Sequence, residues 1–72
     1  MVATIERTKA IRMIMDTIVY EITSLLEKEN TYLKRSVITK HLLNLGLIEN
    51  ETTDWTVVRE EIETNDYGIR YI

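Results

Sequence analysis

His41, the one histidine, could act as a general base with Ser36 or Ser24 as nucleophile. Such chemistry needs a nucleophile within hydrogen-bond reach of the base, a third group to orient the base, and a cleft that excludes water. Ser36 precedes His41 by five residues, no orienting group is evident, and 72 residues leave little room for a cleft. His41 therefore reads as a half-buried helix residue and the chain as a non-enzyme. The acids Glu60, Glu61, Glu63 and Asp66 lack the alternating order and distal Glu of a calcium loop. The absence of cysteine removes disulfides and leaves a structural zinc without thiolate ligands. No Gly-rich loop is present to cradle phosphate. No catalytic residue, cofactor or metal is expected.

Charge is the more informative pattern. Seven Lys/Arg stand against five Asp/Glu before Gly46, and two against seven after it, within a net charge of −3. A change of sign along one chain can mark a surface for a charged partner. The acidic part supplies one candidate docking set: Asp54, Arg59, Glu60 and Glu63, with Trp55 and Tyr67 as aromatic anchors. Trp55 falls on the apolar helical face and reads first as core, with the anchor role as its alternative; for the acids the alternative is a solvated helix face.

These side chains need elements to carry them. Ile11, Met15, Ile18, Ile22 and Leu25 recur at spacings of four and three, and Ile14, Val19 and Leu26 widen the stripe. One amphipathic helix is expected over residues 5–28, with Thr4 as N-cap and Asn30-Thr31 as the stop. A second is expected over residues 33–45, with Ile38, Leu42 and Leu45 on one face. It should close at Gly46 in a left-handed conformation, with Leu47 folded back on Leu42. Residues 54–64 read as a third helix through Trp55, Val58 and Ile62. The β-branched run Thr56-Val57-Val58 leaves open a hairpin that turns at residues 65–68. Residues 69–72 read as a short strand after Gly68. The expected fold class is mainly α with a short C-terminal β element, in a single domain over residues 1–72.

At 1.5 Å per residue the first helix would be roughly 36 Å long, against a radius of gyration of about 11 Å for a compact chain of this size. Either it breaks near Asp16-Thr17 or a second copy covers the overhang. The stripe crosses those residues in phase and no Gly or Pro supports a break, so a homodimer through Ile11, Met15, Ile18 and Ile22 is expected. No secretory signal or membrane-spanning stretch is visible, and a reducing, cytoplasmic setting fits.

The segment Ser36-Val-Ile-Thr-Lys-His-Leu-Leu-Asn-Leu-Gly-Leu-Ile48, then Thr53-Asp-Trp-Thr-Val-Val-Arg59 and Gly68-Ile-Arg-Tyr-Ile72, resembles the helix, turn, helix and wing of winged helix-turn-helix domains. The resemblance covers about half the chain and its motif is weakly specific. It implies a helix in the DNA major groove with a hairpin beside it. On the helix from Ser36 to Leu45, Lys34, Arg35 and Lys40 would meet phosphates while Thr39 and Asn44 approach bases. On the helix from Asp54 to Thr64, three glutamates would repel phosphate, and too little chain follows Gly68 for a full wing.

Two functions follow. The first is a regulator or inhibitor whose acidic C-terminal half docks on a basic protein surface, such as one that normally holds nucleic acid. The second is a small dimeric winged-helix-type DNA-binding regulator. The negative net charge opposes nonspecific DNA attraction and favours the first. A proline-free, cysteine-free composition rich in Ile, Thr, Glu and Asn is similar to that of accessory proteins of phages and mobile elements.

Overall fold

The computed structural model describes residues 2–29 and 33–71 of the chain. Four helices follow one another: α1 Val2–Met13, α2 Met15–Glu29, α3 Arg35–Asn44 and α4 Thr53–Asn65. Helix α1 packs chiefly on α4, and α2 on α3. The radius of gyration is 11.7 Å and the principal extents are 39 × 24 × 19 Å.

The single long N-terminal helix of the sequence reading is two helices. At Ile14 the backbone N–H donates to the carbonyl of Ile11, three residues back, at 3.1 Å. The four-residue ladder resumes when Ile18 N–H donates to Ile14 at 3.0 Å. The interruption lies two residues before the Asp16-Thr17 site considered as the alternative. No local breaker marks it; α1 and α2 serve different packing partners, and one tightened turn separates them.

Ile11, Met15, Ile18 and Ile22 keep their phase across this turn and are all buried inside the single chain. They pack in one cluster with Ile38, Leu42, Ile48, Trp55, Val58 and Ile62. The dimer interface assigned to those four residues is thereby corrected: α3 and α4 already cover the stripe that a second copy was expected to cover. Each such side chain contributes roughly 1.5–3 kcal/mol by leaving water.

Helix α3 ends as its sequence requires. Gly46 has φ +75°, its N–H donates to Leu43, and the N–H of Leu47 donates to Leu42, both at 3.0 Å. These are the two bonds of a Schellman ending. Residues 54–64, left open between helix and hairpin, are helical. Asp54, Trp55, Val58 and Ile62 bury one face at helical spacing, and that burial overrides the β preference of Thr56-Val57-Val58.

The expected C-terminal strand is not formed among the described residues. A single parallel bridge between Leu33 and Tyr71 is the β pairing they contain. Asp66 (φ 49°) and Gly68 (φ 72°) turn the chain after α4 through two left-handed residues, so it returns without a flanking strand to extend a ladder. Ile72 and the proposed Asn30-Thr31 stop lie outside the described residues. Among the described residues no helix is long and apolar enough to cross a membrane.

Candidate functional site

The acidic set divides when folded. Asp54 is only 4% exposed. Its Oδ2 accepts hydrogen bonds from Arg7 Nη2 at 2.8 Å, Glu49 N at 2.8 Å and Asn50 N at 3.2 Å. Burial pushes this carboxyl upward, but the Arg7 guanidinium and the two backbone donors outweigh it and hold the group below its ordinary value. The same pairing raises Arg7. Asp54 is thus a structural tie between α1, the loop after α3, and the first turn of α4. Its assignment to an exposed docking face is corrected by that burial.

The loop has a second anchor that the sequence reading missed. Asn50 Oδ1 accepts from Thr52 N at 2.7 Å and Thr53 N at 2.8 Å. It supplies the side-chain acceptor at the start of α4, where Thr52 itself makes no such bond. An Asn shortly before a helical face is a recognisable capping signal, although three nearer oxygen-bearing residues compete for the position.

Two further contacts join α1 to acids of the second part: Arg7 with Glu49 at 3.6 Å and Arg12 with Glu61 at 3.4 Å. Both pairs are partly solvated, each with one well-exposed partner, and each contributes about 0–1 kcal/mol. Their significance is positional. Part of the charge asymmetry read as a partner signal is complementary within the molecule, because basic α1 lies on acidic α4. Glu51, Glu60, Glu63 and Asp66 remain exposed, with Arg59 and Arg70.

On α4, Arg59, Glu60 and Glu63 face solvent together with Thr56 and Thr64. Tyr67 follows at 36% exposure. Trp55 is 3% exposed and belongs to the core, in line with its place on the apolar helical face, and its inclusion in the docking set is corrected. Its ring meets Tyr71 edge to face, with centroids 5.3 Å apart and planes at 74°. Such a contact is worth about 0.5–1.5 kcal/mol beyond area burial. The indole Nε1 has no hydrogen-bond partner among the described residues, a condition that costs about 1–3 kcal/mol. Burial raises the Tyr71 hydroxyl above its ordinary value and Glu63 adds to this, while Arg59 and Arg35 oppose it.

The second candidate face is on α3. Lys34, Arg35, Lys40 and Asn44 are exposed. Thr39 is 2% exposed and its hydroxyl donates to the Ser36 carbonyl at 3.1 Å, so it is corrected from a base-reading position to a core one. On the inner side, His41 Nε2 lies 3.2 Å from Glu21 Oε1 across the α2–α3 contact. The ring is engaged by that carboxylate rather than by Ser24 or Ser36. Among the described residues no group of three or more His, Cys, Asp or Glu gathers to hold a metal ion.

The fold and these faces define a small helical domain with one acidic and one basic exposed helix surface. Comparison with protein-family models, curated proteins and solved structures finds no match to this chain.

Proposed function

We propose that the chain is a non-enzymatic binding module that docks the outer face of α4 on a basic surface of a protein partner, as a regulator or inhibitor in a reducing, cytoplasmic setting. The observation that supports this most is the survival of Glu60, Glu63 and Asp66 in solvent, with Tyr67 beside them, after α1 has engaged Asp54, Glu49 and Glu61. These carboxylates would steer and orient a cationic partner, and Tyr67 would supply apolar contact at the edge. A basic surface that normally holds nucleic acid suits this face, because glutamates on a helix place negative charge at intervals along it.

The double variant Glu60→Lys with Glu63→Lys tests the reading. Tagged parent and variant are used to capture proteins from the source cells, with both variants checked for helix content. A specific protein retained by the parent and released by added salt should be missing from the variant. Equal retention would remove the α4 face from the interface.

A DNA-binding function, the alternative that the winged-helix resemblance implies, has one supporting observation: Arg35, Lys40 and Asn44 on α3, and Lys34 just before it, are exposed. It expects saturable binding of random-sequence duplex by fluorescence anisotropy that weakens steeply between about 50 and 200 mM salt, and weaker binding by Lys34→Ala with Arg35→Ala. The preferred reading expects no saturable binding at the lower salt.

A further inference from the structure

Residues 67–71 have few fastenings, and Tyr71 among them packs edge to face on Trp55. They belong to no helix or sheet, and a single backbone bridge joins Tyr71 to Leu33. Ile69 and Tyr71 are partly buried against the core, whereas Tyr67, Gly68 and Arg70 face solvent. An open groove runs between this segment and the last turns of α4, with Ile62, Glu63 and Asp66 on the helix side. Trp55 lies behind Tyr71 and does not line the groove; its N–H is buried without an acceptor among the described residues.

We propose that residues 67–71 are a displaceable strap over Trp55, and that the seat beneath takes an extended, basic and aromatic segment of a protein partner in the strap's place. The strap itself defines the chemistry of the occupant. Its backbone pairs in parallel with Leu33, its aromatic ring packs on Trp55, and its Arg70 lines the groove that Glu63 and Asp66 make acidic. An extended peptide with a cation beside an aromatic residue reproduces all three contacts. Segments with few buried contacts open well before the packed helices do. The protein nature of the occupant rests on the proposed function; the opening of the strap does not.

Trp55 is the only tryptophan, so its emission reports the seat directly. In full-length Tyr71→Ala, the emission should shift to the red and acrylamide quenching should rise several-fold, with the far-ultraviolet circular dichroism of the parent retained. A synthetic peptide with the sequence of residues 67–72, added at millimolar concentration, should restore shielding saturably. The same peptide with its second tyrosine replaced by alanine should not. A Trp55 that stays shielded in Tyr71→Ala overturns the proposal, as does helix loss accompanying its exposure, which would make the segment part of the cooperative core. Failure of the parent peptide to restore shielding overturns the peptide seat. All these readings are made on the isolated chain, so they stand apart from the outcome with Glu60→Lys and Glu63→Lys.

Discussion

Asp54 shows how one side chain can carry a reading at odds with its sequence context. It sits in a run of acids and looks like one more solvated charge, yet its carboxylate gathers a guanidinium 47 positions away and two backbone donors. Asp54→Asn should destabilise the chain by about 1.5–3 kcal/mol at neutral pH, because the bonds lost are to a charged acceptor. The folded state holds this carboxyl below its ordinary 3.8, so the unfolded chain binds the proton more tightly. The stabilisation is therefore complete above the unfolded value and is lost as pH falls through the folded one. Melting temperatures of parent and variant should differ most near neutrality and converge as pH drops below about 4. A gap independent of pH would mean that the charge contributes nothing. No spacing in the sequence announces Arg7 as the partner, since that contact exists only once α1 lies on α4.

At the scale of elements, local chemistry explains the ends better than the continuity. Gly46 sits at φ +75° and a Cβ built there would meet nothing within 4 Å. Gly46→Ala should therefore cost only the left-handed backbone penalty, about 1–2 kcal/mol, read as a lower urea midpoint with an unchanged slope. Asn50→Ala should cost about 1 kcal/mol through the loss of its two amide bonds at the start of α4. Both ends are written in residue types with special backbone or capping properties. The Ile14 junction is not: Met13, Ile14 and Met15 are acceptable helix residues, and the interruption follows from what each half packs against. Likewise, the helix in residues 54–64 wins over a hairpin because four side chains at helical spacing find a common core.

For the whole molecule, the stripe Ile11, Met15, Ile18 and Ile22 is satisfied inside one chain. Ile18→Ala should lower stability by about 2–5 kcal/mol through the cavity it leaves. The melting temperature of parent and variant should not depend on protein concentration. A midpoint that rises with concentration would show that folding is coupled to association, through a face other than this stripe. The same whole-molecule packing alters the meaning of the charge pattern. Arg7 and Arg12 on α1 meet Glu49, Asp54 and Glu61, so only the remaining acids are offered outward.

The sequence by itself determined the helical character, most of the apolar positions that form the core, Leu45 at 48% exposure being the exception, and the Schellman ending at Gly46. Those features follow from periodicity and from local backbone preference, which act over a few residues. Tertiary structure decided where the N-terminal helix breaks, that residues 69–71 do not build a sheet, and which carboxylates and aromatics remain at the surface. These outcomes depend on which elements meet across the fold. Asp54 and Glu60 are both acidic residues of α4, and the position of α1 makes one a buried tie and leaves the other an exposed charge.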